Sequence, residues 1–375
     1  MTDETVATGG VPGAATALRL GVLHLGRPES GVRRYGRILT DELARRADVH
    51  LTQTDAGLLE GRRGGLGSHG RLFAAAGVDA LLLQWNKRGW GKGPRAAYRF
   101  EDLRRAYRGP LVVTLHDVFD REGVKERWLD ADTWGLRLVA RTADRLIVHS
   151  EVEVDRLAGI AQASRIRVVP HFVEQRDLPL SPEAARAQLG VGDRRVVTLL
   201  GFIYGRKGHG DLVEAVPQLP PDVLVVLAGG AVAGREGLLR RVQRRIGELG
   251  IADRVRITGY LSEEEMETWI AASHLAILPF RDLSASGSLS TWIASGKPAL
   301  TSDLPGFHEY DRRVPGALRF LDELDPAAIA AGIRDALDGG LFDPDPRVVE
   351  LRGHLTVPRT VDRYLDVLRE AAVAR

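Results

Sequence analysis

Short apolar runs alternate with amphipathic stretches along most of this chain. Leu18–Leu25 (LRLGVLHL), Leu81–Gln84, Leu111–Leu115, Arg145–His149 and Ile166–Val169 are mostly apolar, and each is bounded by loop residues or by segments with helical spacing such as Arg34–Arg46. Buried runs this short, separated by helical patterns, predict parallel strands joined by helices. The pattern breaks at Glu174–Pro182 (EQRDLPLSP), which predicts a linker. A second series then begins, with strands predicted at Arg195–Leu200, Val223–Ala228, Arg256–Thr258, Ala276–Leu278 and Ala299–Thr301. Helix starts are legible between them: Ser150 with Glu153 and Ser262 with Glu265 fit the capping box, and Ser181-Pro182 places an N-cap before a first-turn proline. The chain reads as two doubly wound α/β halves in tandem. A last helix, Val361–Val373, follows with no strand after it.

Length and composition sharpen this. The 375 residues suit two domains at roughly 150 residues each. The absence of cysteine excludes a disulfide framework, thiolate metal sites and a cysteine nucleophile. The N-terminal stretch opens with acids and has no apolar core of a signal peptide, and no apolar run reaches the roughly 18–20 residues that span a bilayer. A cytoplasmic protein is therefore expected, with residues 1–17 as a disordered lead-in. The net charge of +2 is near balance, but lysine occurs only at Lys87, Lys92, Lys125, Lys207 and Lys297, so each lysine is an informative choice.

In tandem halves of this kind, ligands bind outside the carboxyl ends of the strands, and a cleft between the halves is expected. The strongest local signal is Leu199–Val213 (LLGFIYGRKGHGDLV). A strand ends at Gly201, and Arg206-Lys207-Gly208 precede a helix. Glycines let backbone amides approach an anion, and adjacent cations neutralise a diphosphate. A second loop, in Leu278–Pro298 (LPFRDLSASGSLSTWIASGKP), runs into a helix near Gly287 or Ser288, whose exposed amides form an anion site. In the first half, Pro28–Tyr35 (PESGVRRY) is a third loop–helix junction with Gly31 able to approach a ligand. Val113–Phe119 (VTLHDVF) puts His116 and Asp117 just past a strand, where they could do acid–base or hydrogen-bonding work. His149 and His171 also follow apolar runs, and His149 reads as a packing or capping residue.

Other patterns bound the chemistry. There is no HExxH, EF-hand or GxSxG motif. The acidic triplet Asp130-Ala131-Asp132 reads as a helix surface and Asp343-Pro344-Asp345 as a proline-broken loop, so no metal site is expected. Residues 61–110 concentrate arginine and lysine around Trp85, Trp90 and Tyr98. This fits a solvated arginine surface, an anionic acceptor site or a weak peripheral membrane contact, and no recognition motif for nucleic acid accompanies it.

Taken together, these segments resemble the GT-B glycosyltransferases, specifically the retaining enzymes of glycosyltransferase family 4. GFIYGRKGHGDLVEAV is similar to that family's G-x-x-x-x-x-K-G phosphate loop and following helix. GYLSEEEMETWIAASHLAILPF and ASGKPALTSDLPGFHE resemble its two later donor-domain segments. SGVRRYGRILTDELARR, LHDVF and VVPHFV resemble its amino-terminal loop and helix, its H-D segment and the strand before the linker.

The resemblance implies two Rossmann-like domains facing a central cleft: an acceptor-binding domain at 18–176 and a nucleotide-sugar-binding domain at 177–356. Residues 357–375 would form a helix returning to the first domain. Arg206 and Lys207 would stabilise the departing nucleoside diphosphate without metal or other cofactor, and His116 would contact sugar or acceptor, with Asp117 as a secondary candidate. Gly201, Phe202, Tyr260, Leu261, Asp282, Ser284, Ser286, Gly287, Ser288, Leu289 and Thr291 would line the donor site, and Ser30, Gly31 and Val32 would border acceptor or phosphates.

One departure stands out. The family's Glu-x7-Glu positions fall at Leu283 and Thr291, and a Ser284-Ala285-Ser286-Gly287 loop takes the place of the pattern. Thr291 would bind a ribose hydroxyl more weakly than a carboxylate does, and Asp282 is placed to substitute for the first acid. The expected function is transfer of a sugar from a nucleoside-diphosphate sugar to a hydroxyl acceptor: a natural product, a saccharide or a lipid-linked acceptor. A related enzyme with a sugar-like donor, or a catalytically silent nucleotide-sugar binding protein, are the alternatives.

Overall fold

The computed structural model describes residues 17–26, 30–57, 65–91, 94–116, 118, 131–231, 236–282 and 286–374. Residues 1–16, Asp117, Asp130, Leu283 and Ser284, on which expectations were placed above, lie outside the described residues.

There are two six-stranded sheets. The first holds β1 (Leu18–His24), β2 (Val49–Asp55), β3 (Ala80–Trp85), β4 (Leu111–Leu115), β5 (Arg145–Val148) and β6 (Ile166–Val168), in the order β2-β1-β3-β4-β5-β6. The second holds β7 (Arg195–Leu200), β8 (Val223–Ala228), β9 (Val255–Ile257), β10 (Leu275–Leu278), β11 (Ala299–Thr301) and β12 (Arg319–Phe320), in the order β12-β11-β10-β7-β8-β9. β1 pairs in parallel with both β2 and β3, and the second sheet is parallel throughout. The GT-B architecture of paired doubly wound sheets is what this order describes.

The second sheet shows why its strands read as unbroken apolar runs. Side chains alternate across a strand. Val196, Leu200, Leu224, Val226 and Ala228 enter one core with Trp269, Trp292 and Phe307, while Val197, Leu199, Val223, Val225 and Leu227 enter another with Leu212, Ile329 and Ile333. Both faces are covered, so both are mainly apolar, and the buried Thr198 of β7 is hydrogen-bonded to Ser273 at 2.6 Å.

Two strands escaped the reading of the sequence. β2 (VHLTQTD) lies at a sheet edge and carries polar residues on its exposed positions, which hides the apolar signal, and β12 has only two residues, also at an edge. The caps behave with one exception. Ser181 and Ser262 cap their helices, Ser262 with the full reciprocal box to Glu265. Ser150 accepts from the Glu153 amide, but the Glu153 carboxylate accepts instead from the His149 amide at 2.7 Å.

By internal contacts, the described residues of 1–114, 128–146 and 365–375 form one unit, and those of 115–127 and 147–364 form the other. In the first, the end of the Val357–Val373 helix is tied down by ion pairs of Arg369 with Asp48 and of Glu370 with Arg145. Among the described residues, part of the basic stretch of this unit is core. Trp85 and Trp90 are buried, stack at 4.9 Å between centroids and pack on Phe100, while buried Arg99 donates to the Trp90 carbonyl. Of the three interleaved aromatics only Tyr98 is exposed, so two of the residues that suggested membrane contact belong to the core instead. No helix among the described residues is long and apolar enough to cross a membrane.

In the second unit the Glu174–Pro182 stretch has no regular element before its helix. Arg176 anchors it, donating to Glu263 and Glu267, and its amide donates to the Ala294 carbonyl. The acids of Asp343-Pro344-Asp345 are also accounted for. Asp343 pairs with the buried Lys297 at 2.6 Å, and Asp345 accepts from the first amides of the Pro346–His354 helix.

Candidate functional site

Strand order in the second sheet reverses between β10 and β7, and open α/β sheets bind ligands at the carboxyl ends of such a switch point. Both anion-prone loops meet there. After β7 the chain passes Gly201 (φ +118°), makes a tight turn over Gly205–Lys207, passes Gly208 (φ +72°) and enters the His209–Ala215 helix. The left-handed φ at these two glycines folds the loop back on its own strand. Lys207 follows that turn inward: its Nζ donates to the Leu200 carbonyl at 3.2 Å and to Ser288 Oγ at 2.9 Å. The ammonium occupies the notch left by Gly201, where a Cβ would lie 2.3 Å from it, and sits 5.0 Å from the centre of the Phe280 ring.

Burial pulls the Lys207 ammonium down to about 8. A diphosphate needs the charged form, so affinity for a nucleoside diphosphate is expected to fall as pH rises from 7 to 9. A titration flat across that range would show that this ammonium does not meet the phosphates.

The second loop completes the site. Ser286 caps the Gly287–Ala294 helix by accepting from the Leu289 amide, leaving the amides of Gly287 and Ser288 as its open first-turn donors. The Leu289 side chain is core, and its amide is already used, so Leu289 offers a ligand less than the sequence suggested. Thr291 Oγ1 donates to the Gly287 carbonyl, which leaves that hydroxyl only as an acceptor, fit for a ribose hydroxyl that donates. Arg281 braces the two loops through both oxygens of Asp211 and through its amide to the Arg206 carbonyl.

Asp282 does not stand free to receive a sugar. Its carboxylate accepts from Arg206 on one oxygen and from Arg156 at 2.7 Å on the other. Burial alone would raise its carboxyl, but Arg156 first and Arg206 second hold it below the usual range. Arg156 had no signal in the sequence: it lies in the Glu151–Leu157 helix, 126 positions from its partner.

The loops after β7, β8 and β9 stay joined past their strands, through Gly201 N to the Ala228 carbonyl, Ile203 N to the Gly230 carbonyl, and Gly229 N to Thr258 Oγ1. Phe202, Tyr204 and Tyr260 are exposed along this edge, Tyr260 at 81%, while Leu261 packs against the core.

His116, just past β4, stands in a row with His149 and His171, with ring centroids 5.0 and 5.3 Å apart. Burial and the charges of the neighbouring rings hold His116 well below its ordinary value, and burial brings His149 down to about 3. His116 is therefore a neutral hydrogen-bonding imidazole at physiological pH. His149, with Nδ1 3.0 Å from the Val169 carbonyl, is the packing residue its position suggested. Glu309, in the PGFHE segment, accepts from the amides of Glu151 and Val152 and so pins the helix that carries Arg156.

The first unit has its own switch point, between β1 and β3. Ser30 is the N-cap residue of the Gly31–Ala44 helix with its hydroxyl uncommitted to the cap, and Gly31 has open space around it. Buried Arg33, in the first turn of that helix, donates to the Gly26 carbonyl and pairs with Asp55, which also accepts from the Gly57 amide at 2.7 Å. Val32 lies in the first turn of that helix. Arg33 lies within the PESGVRRY segment without being singled out there, and Asp55 carried no motif.

Residues 89–176 match the family described as Glycosyltransferase Family 4, and residues 194–339 match Glycosyl transferases group 1. D-inositol 3-phosphate glycosyltransferase of Mycolicibacterium smegmatis is 30% identical over 240 residues, covering 62% of this chain and 51% of that protein. Alpha-D-kanosaminyltransferase of Streptomyces kanamyceticus is 27% identical over 233 residues, covering 58% and 59%. The chain thus spans about half to three fifths of the length of these curated relatives. Among solved structures, HepE of Anabaena in complex with UDP-glucose superposes with a TM-score of 0.72 at 17% identity, covering 94% of this chain and all of that one. Sucrose-phosphate synthase of Thermosynechococcus elongatus gives 0.72 at 19% identity, covering 96% and 100%. Segments of both halves thus match glycosyltransferase family models, a family 4 domain in the first and a group 1 domain in the second, and the two sheets described above have the GT-B fold.

Proposed function

We propose that this chain is a retaining, metal-independent glycosyltransferase that moves a sugar from a nucleoside-diphosphate sugar to a hydroxyl acceptor. The observation that carries the reading is Lys207. A buried ammonium at the carboxyl end of β7 donates to Ser288 Oγ in the first turn of the Gly287–Ala294 helix, with the exposed guanidinium of Arg206 in the neighbouring loop. Such a cluster favours negative charge where it is fixed in advance. A structural neighbour supports the donor class, since HepE forms a complex with UDP-glucose.

In the proposed reaction the bond from the sugar's anomeric carbon to the β-phosphate oxygen breaks, and its electron pair leaves with the diphosphate. Arg206, Lys207 and the amides of Gly287 and Ser288 receive that charge. The acceptor oxygen bonds to the anomeric carbon on the same face, and its proton passes to the departing phosphate oxygen. His116, neutral, hydrogen-bonds sugar or acceptor and is not the base. The loop at Ser30–Val32 serves the acceptor side. Tyr260 and Phe202 lie where a nucleoside would rest on the edge of the second sheet.

A thermal-shift panel of nucleoside diphosphates, with donor hydrolysis followed in the presence and absence of EDTA, tests the reading. Stabilisation by one diphosphate and EDTA-insensitive turnover of its sugar are expected. Stabilisation without turnover of any donor would leave a binding protein. A related enzyme with a sugar-like donor is the second reading, favoured by Thr291 in the place of the second acid.

A further inference from the structure

We propose that Arg156 is a positioning residue of the diphosphate site: by neutralising Asp282 it leaves the charge of Arg206 available to the phosphates. The inference rests on the reading that Arg206 and Lys207 meet the diphosphate. Two guanidinium groups converge on one carboxylate, Arg156 on Oδ1 and Arg206 on Oδ2. Their exposures differ sharply, at 11% for the Arg156 side chain and 64% for that of Arg206. The buried arginine is fixed, with a second bond to the Val118 carbonyl at 3.3 Å, whereas the exposed one can turn toward a ligand.

Charge balance gives Arg156 its consequence. With one anion and two cations the cluster presents a single net positive charge. Remove Arg156, and Asp282 holds Arg206 alone in a neutral pair. An arriving diphosphate must then break that pair and also approach an uncompensated, partly buried carboxylate. Remove Asp282, and both cations face the phosphates. The helix bearing Arg156 is pinned by Glu309, so the guanidinium is held where the carboxylate needs it. Asp282 in this arrangement is a competitor for Arg206, restrained by Arg156, rather than a substitute for the family's sugar-binding acid.

The test is calorimetric titration of UDP at fixed ionic strength; UDP lacks the transferred sugar, so differences between variants report on the diphosphate contacts. Arg156→Gln is expected to weaken UDP about tenfold, Asp282→Asn to tighten it several-fold, and the double variant to return near wild type, as charge-assisted pairs sharing one partner couple strongly. Unchanged UDP affinity in Arg156→Gln, or weaker binding in Asp282→Asn, overturns the proposal. Should Arg156→Gln fail to fold, the sign of the Asp282→Asn effect decides alone. If UDP does not bind the wild type, or binds Lys207→Ala equally well, the diphosphate reading itself falls, and this inference with it.

Discussion

Lys207→Ala is expected to lower turnover with a nucleoside-diphosphate sugar by about 10²–10³-fold, the cost of removing one donor aimed at developing transition-state charge. The fold should survive. The lysine is buried, but among the described residues its side chain makes two hydrogen bonds, one to Ser288 Oγ and one to the Leu200 carbonyl, and alanine leaves a small notch beside Gly201 that water can enter. Ser288 keeps its place in the helix, since Ser286 does the capping. Circular dichroism and thermal melting should therefore change little while kcat collapses. Turnover near the wild-type value would place the phosphates elsewhere and remove the basis for the proposed reaction.

Gly208→Ala is the second large effect, and it acts on backbone. Gly208 has φ +72°, which costs an L-residue on the order of 1 kcal/mol or more. The new Cβ would also lie 2.1 Å from the Pro279 carbonyl oxygen, which cannot rotate away as a side-chain tip could. The loop must move off β10 and carry Lys207 with it. A loss of roughly 3 kcal/mol is expected, measured as a lower melting temperature, together with weakened UDP binding. Gly210→Ala, two residues on in the helix, is the control: a Cβ there meets nothing within 4 Å, and alanine favours a helix. If Gly208→Ala melts and binds like Gly210→Ala, the close approach of the phosphate loop to Pro279 is wrong.

Much of the fold was legible because its causes are local. β7 and β8 announce themselves through side chains that alternate between two buried faces, and the helices at Pro182 and Glu263 through cap residues within four positions of one another. β2 was not legible, because an edge strand needs few apolar residues. The reversed use of Glu153, toward the His149 amide instead of Ser150, was hidden because both geometries satisfy the same spacing.

The site divides along the same line. Gly201, Arg206, Lys207 and Gly208 are read directly from the sequence, since glycines that fold a loop back beside adjacent cations form a short segment with its own chemistry. Which partners those cations take is another matter. Lys207 meets Ser288 across 81 positions, Arg206 meets Asp282 across 76, and Arg156 meets Asp282 across 126. Lys207 and Arg206 reach their partners because β10 lies beside β7 and not beside β9, and Arg156 reaches Asp282 from a helix held by Glu309; such packing is not encoded by local periodicity. The sequence by itself determined two doubly wound halves and a glycine-rich loop with its lysine. The tertiary structure alone decided that Asp282 is shared between two arginines, because an ion pair forms where the fold brings charges together, whatever their separation along the chain.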